Sequence, residues 1–167
     1  MLQNYLGPLY LALAASIWGS VYVISKMVLE YVPPLELVWI RYIVALCTLV
    51  FLVITTGQSW KIHKRDIPLI LLVGVIGYFI SIWAQFAGTH LSSAQMGAVI
   101  TSATPAFMVL FARIFLKEKI TLRKGISVVL ATIGVLLIVG TGNMGKSSEL
   151  GGIILGIAAL TWALMSV

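Results

Sequence analysis

Charge is what this sequence has least of. Only a tenth of its 167 residues are charged, and acids are the scarcer kind, 5 against 11 basic residues. A soluble domain of this size needs a polar exterior that such a composition does not supply. The five acids, Glu30, Glu36, Asp66, Glu118 and Glu149, all fall at or near the ends of apolar stretches. No carboxylate pair, histidine cluster or nucleophile with a neighbouring base stands inside one, so no enzyme is expected and no cofactor is implied. A lone cysteine, Cys47, rules out an internal disulfide and suggests no metal site. The net charge of +6 could point elsewhere to nucleic acid. Here the positive charges sit at helix ends, so no nucleic-acid partner is expected.

What the chain does have is length of apolar sequence. Sixty per cent of its residues are hydrophobic, and the mean hydropathy is +1.08. Runs free of Asp, Glu, Lys and Arg cover Met1–Ser25, Ile67–Ala112, Gly125–Gly145 and Leu150–Val167. A spanning helix needs about 20 apolar residues, so the second run holds two spans and a turn. The start resembles a secretory signal, but no Lys or Arg precedes Lys26, and it reads as a retained first span. Six helices follow from length and punctuation: Leu6–Ser25, Pro34–Thr55, Ile67–Gly88, Ser93–Leu116, Leu122–Val139 and one from Leu150. The fifth ends in the Gly-rich turn at 140–148. The fold class expected is all-α, a polytopic transmembrane helical bundle.

Loop charge then orients it. Lys61, Lys64 and Arg65 lie between helices two and three, and Arg113, Lys117, Lys119, Arg123 and Lys124 between four and five. These connections share one side and hold eight of the eleven basic residues, whereas the other side has Lys26 and Lys146. The positive-inside rule therefore places the amino terminus in the cytoplasm of a multi-pass cell (inner) membrane protein.

The last eighteen residues, LGGIILGIAALTWALMSV, repeat the stretch LGPLYLALAASIWGSVYV from Leu6 to Val23. Seven positions coincide: Leu6/Leu150, Gly7/Gly151, Leu11/Leu155, Ala14/Ala158, Ala15/Ala159, Trp18/Trp162 and Val23/Val167. Five spans separate the two copies, and five is odd, so the second copy crosses in the opposite sense. The expected organisation is a five-helix repeat over 1–148 and, from 149 to 167, the first helix of an inverted second repeat. Inverted repeats are a common build of secondary transporters, whose solute site lies near the midplane between the halves. A missing second half or a companion copy of the repeat is the expected protein partner, beside the lipid bilayer and a small-molecule substrate.

The pattern resembles the EamA-type half of the drug/metabolite transporter superfamily. The likeness rests on Trp18-Gly19, Lys26, the spacing from Pro34 to Arg41, Ser93-Ala94, Pro105 and the turn Leu116-Lys117-Glu118-Lys119. It implies a carrier of two such halves that moves, and in many members exports, amino acids or other small metabolites. Two other readings remain open. One is a small homodimeric multidrug-type transporter, the other a non-transporting membrane scaffold.

Seven residues are candidates for solute binding: Trp18, Tyr22, Arg41, Gln85, Thr101, Ser102 and Pro105. Arg41 is a charge about 10 Å inside helix two at 1.5 Å per residue. Ala45, Thr48 and Thr55 share its face, so that stripe is expected to turn towards protein. Arg41 either meets solute or snorkels to the interface. Pro105 removes an internal hydrogen bond and frees the carbonyl of Thr101, with Ser102 and Thr104 hydroxyls alongside. This is either a polar kink lining the pathway or a bend satisfied by those hydroxyls. Trp18, Tyr22 and Ser25 share a face of helix one beside the small stripe Ala12, Ala15 and Gly19, which reads as a packing seam. Gln85 is an amide inside helix three beside Gly74, Gly77, Ser81 and Gly88. It either bonds another helix or contacts solute. Trp60, Trp83 and His90 are expected at the interface.

Overall fold

A computed structural model describes residues 3–58, 62–141 and 146–167. Its helices are α1 (Gln3–Val28), α2 (Pro34–Thr56), α3 (Ile67–Leu72), a π-helical segment (Val73–Ile80), α4 (Ser81–Leu91), α5 (Ala94–Ser102), α6 (Thr104–Phe115), α7 (Leu122–Thr141) and α8 (Lys146–Met165). The six expected helices are therefore present. α3, the π segment and α4 form one continuous third span, and α5 with α6 forms a broken fourth. Among the described residues five helices, Leu6–Val28, Pro34–Thr56, Ile67–Leu91, Ala94–Phe115 and Ser148–Met165, are long and apolar enough to cross a membrane. The chain is an all-α multi-pass membrane protein.

Local chemistry explains the ends. Pro34 opens α2 where a missing N–H costs nothing, and Gly57 closes it in the left-handed conformation at φ 65°. Ser93 caps α5 by accepting the N–H of Met96 at 3.1 Å. The fourth span breaks at Ala103 because Pro105 has no N–H to give to Thr101. α8 starts at Lys146, four residues before the expected Leu150. Of the turn expected at 140–148, residues 142–145 lie outside the described residues, as do Trp60 and Lys61.

The packing centres on α8. It lies most extensively against α4, and also against α5, α6 and the π segment. The contact is close because the third span presents small residues to it. A Cβ added at Gly88 would stand 2.8 Å from the Gly151 carbonyl, and one at Gly151 would stand 2.9 Å from the Gly88 carbonyl. A Cβ at Gly77 would meet the Met165 side chain at 2.6 Å. Between these notches the Ser81 hydroxyl donates to the Ala158 carbonyl at 3.0 Å. Inside a bilayer, where apolar burial alone does little to pair helices, such backbone approach is the main source of association. Gly74 has nothing near it, so the expected stripe is used from Gly77 onward.

α1 joins the bundle by its last turns only. Tyr22 and Ser25 are buried where α1 meets α4 and α5, and Leu29, just past its end, is buried with Val38, Ile82 and Phe86, whereas every residue from Leu6 to Ser20 is exposed. The expected seam of Ala12, Ala15 and Gly19 thus packs on nothing among the described residues. Lys26 straps the buried end in place. Its ammonium donates to the carbonyls of Thr89 at 3.1 Å, His90 at 2.8 Å and Ser92 at 2.8 Å, where α4 ends. α2 touches α4 through its opening turns, with Val38 buried alongside Leu29, Ile82 and Phe86.

Candidate functional site

Four helix faces line a half-open cavity of about 240 Å³. Each face brings side chains four residues apart, which stand one above the other on a helix. α1 contributes Trp18 and Tyr22, the third span Ser81 and Gln85, and α8 Ala158 and Trp162 together with Ala159. The fourth span adds Thr101, Thr104, Pro105 and Met108 around its break. No charged side chain lines this space among the described residues.

The polar groups are arranged in sequence along one wall. Thr101 has one hydroxyl proton, and it goes to the Gly97 carbonyl at 2.6 Å. The Tyr22 hydroxyl must therefore be the donor in its own short contact with the Thr101 oxygen. That contact is possible because residue 97 is glycine: a Cβ there would lie 2.9 Å from the Tyr22 ring. The Thr101 carbonyl freed by Pro105 accepts the Thr104 hydroxyl at 2.6 Å. The bend is thus satisfied by threonine, and it lines the cavity as well.

Gln85 differs from all of these. It is 6 % exposed, and its side-chain amide makes no hydrogen bond to any described residue; only its main-chain carbonyl is used, by the Thr89 hydroxyl at 2.7 Å. An amide brings two donors and an acceptor, and those of Gln85 reach the open cavity: among the described residues only the Tyr42 hydroxyl is both sealed off and unpaired. The interhelical bond that would explain it structurally is not made.

The aromatic wall is a pair. Trp18 and Trp162 approach with ring centroids 6.1 Å apart, tilted by 49°, so the repeated tryptophans of α1 and α8 meet across the cavity. Trp162 also takes the edge of Tyr78 at 5.5 Å. Its far side borders a second, smaller cavity of about 70 Å³ with Val73, Gly77, Tyr78, Met165 and Ser166. One indole therefore separates the two spaces.

Of the seven expected site residues, Trp18, Tyr22, Gln85, Thr101 and Pro105 line the main cavity, while Arg41 and Ser102 do not. Ser102 is exposed and donates to the Val99 carbonyl of its own helix at 2.6 Å. The Arg41 guanidinium lies 5.9 Å from the centroid of the Phe86 ring, and its charge still reaches the Tyr22 hydroxyl of the cavity wall. The stripe expected to face protein beside it, Ala45, Thr48 and Thr55, is exposed. The Thr48 hydroxyl is spent on the Val44 carbonyl at 2.8 Å and that of Thr55 on Phe51 at 3.0 Å. Those bonds within the helix remove the need for a neighbour. Met108, Ala158 and Ala159 are lining residues that sequence reasoning missed. Met108 continues the face of Thr101 and Pro105 by helical spacing, and the Ala pair belongs to the repeated stretch, so both signals were present.

The EamA-like transporter family matches residues 5–140. The chain belongs to this family. Relatives within reach are named as transporters too. One from Archaeoglobus fulgidus, an uncharacterized transporter, is 28% identical over 77% of this chain and 45% of its own length. The uncharacterized transporter YyaM of Bacillus subtilis is 27% identical over 89% of this chain and 50% of its own. An S-adenosylmethionine/S-adenosylhomocysteine transporter of Chlamydia muridarum is 26% identical over 78% of this chain and 42% of its own. The chain spans about half the length of these relatives. No solved structure matches it.

Proposed function

We propose that this EamA-family chain is the first repeat, with the opening helix of the second, of a secondary carrier in the cell membrane. It would move a small organic solute by alternating access of two inverted bundles, in the exporting direction that the family resemblance implies, with its amino terminus in the cytoplasm. The observation that carries this reading is the unpaired Gln85 amide on the wall of an open cavity. A group with three unused hydrogen-bonding positions facing an aromatic-walled space fits a solute that bears polar groups and a flat or cationic portion.

The role of each residue follows from its placement. Gln85 bonds the solute, Trp18 and Trp162 hold its planar or positive part, and Tyr22 and Thr101 fix the wall by their mutual bond. The break at Ala103 gives the fourth span a point at which it can bend. The two relatives from Chlamydia named for S-adenosylmethionine and S-adenosylhomocysteine make those compounds the first solutes to try, followed by amino acids. The test is solute-dependent quenching of tryptophan fluorescence by the chain in lipid nanodiscs. Saturable quenching that Trp18→Ala removes supports the reading. If none of these solutes quenches at millimolar concentration while the chain stays folded, the cavity is not a solute site.

A further inference from the structure

The positions repeated between α1 and α8 sort by contact. On α8, Gly151, Leu155, Ala158 and Ala159 are buried, Leu155 completely, and Trp162 meets Trp18. The residues that α8 turns outward, Ile153, Ile157 and Leu160, are not repeated; α1 has Leu9, Leu13 and Ser16 in their places. Only the terminal pairs, Leu6/Leu150 and Val23/Val167, are repeated and exposed in both copies. Identity is therefore concentrated on the face that makes the contact. On α1 the same face, Gly7, Leu11, Ala14 and Ala15, is bare, with Leu11 73% exposed.

We infer that this face of α1 docks a transmembrane helix carrying a small-residue seam like that of Gly77, Ser81 and Gly88, namely the third helix of an inverted second repeat. The inference rests on the two-repeat reading above and specifies its contact. Leu155 fits only because residue 88 lacks a side chain: a Cβ there would be 2.6 Å from Leu155 Cγ. Leu11 and Gly7 present the same knob and the same notch at the same spacing, so they call for the same glycine opposite. Lipid would satisfy Leu11 but gains nothing from Gly7, Ala14 and Ala15, whose use is close backbone approach. A second copy of this chain is a poor occupant, because its own seam is already covered by its own α8.

The probe is a synthetic peptide of residues 67–92 carrying Ser92→Cys, mixed in detergent micelles with the full chain carrying Cys47→Ser and Gly7→Cys. In the α4–α8 contact the Ser92 Cβ lies 2.9 Å from where a Gly151 Cβ would be, so the equivalent thiols should come within bridging range after a small shift. Disulfide formation at position 7 should be at least fivefold faster than with Leu9→Cys on the outward face. Gly88→Leu in the peptide should abolish the difference. Leu11→Trp in the chain should do the same while leaving its melting temperature and solute quenching unchanged. Equal bridging at both positions, or indifference to Gly88→Leu, overturns the inference. So does faster chain-to-chain bridging through position 7 without peptide, which would make the face a homodimer contact. Failed capture with saturable solute quenching overturns the docking face alone, whereas capture without quenching overturns the solute site alone.

Discussion

α2 and α4 run side by side, and each carries one conspicuous polar side chain within the membrane. Arg41 on α2 is the stronger signal in sequence, because a charge in hydrocarbon is costlier than an amide. In the structure the weight falls the other way. Gln85 is buried and unpaired on a cavity, whereas Arg41 lies against the face of Phe86 with the rest of its helix largely bare. The difference comes from the neighbours. α4 is packed on α8, α2 and α1, and α2 meets the described chain chiefly through α4. A polar residue gains meaning from what its helix packs on as much as from its own cost.

The comparison can be broken most forcefully at the α4–α8 contact. Gly88→Leu would drive a side chain into the Gly151 carbonyl and Leu155, and overpacking of this kind costs about 1–3 kcal/mol. A clear fall in melting temperature in detergent is expected, with loss of solute quenching. Ala45→Leu on the exposed face of α2 should leave both unchanged. Equal effects would mean that α4 is no better packed than α2. Next in size is Trp162→Ala, which removes the wall between the two cavities. Solute affinity should fall by more than tenfold, while Trp39→Ala, at a residue 55% exposed on α2, should alter affinity less than twofold. Titration by isothermal calorimetry distinguishes them.

Gln85→Leu sharpens the comparison further. Losing hydrogen bonds to solute should weaken binding about tenfold, equivalent to ~1.4 kcal/mol. Because the amide has no protein partner to strand, thermal stability should hold or rise. A destabilised Gln85→Leu protein with normal solute affinity would show the amide to be helix glue after all. The smallest effect is expected for Arg41→Lys, under twofold in affinity. The charge is kept and no residue lining the cavity is changed; stacking on Phe86 is weakened. A tenfold loss there would return Arg41 to the site.

Most of the helical frame was readable from apolar length and from Pro34 and Pro105, because in a bilayer backbone hydrogen bonds must close within each helix. The break in the fourth span was readable for the same reason. The π-helical segment at Val73–Ile80 was not, since its wider winding leaves no mark beyond two glycines, and only Gly77 meets another helix. Five of the seven candidates line the cavity because helical spacing groups them by face. Arg41 and Ser102 were not separable from the others on sequence alone: nothing in the spacing of α2 says which flank of α4 it lies on, and a serine hydroxyl can bond its own helix in silence. The repeat was visible as letters, but its division into buried and bare faces needed coordinates.

The strap at Lys26 also bears on how the chain is made. Its ammonium is held by carbonyls 63 to 66 residues further along, at the end of the third span, and so the strap closes only once α2 and that span have been made. Until then the charge at the end of α1 has water and headgroups for company, and the first span is free to tilt and slide. Closing the strap fixes its depth only once α4 has ended, so that α1 takes its final position after α2 and the third span are made.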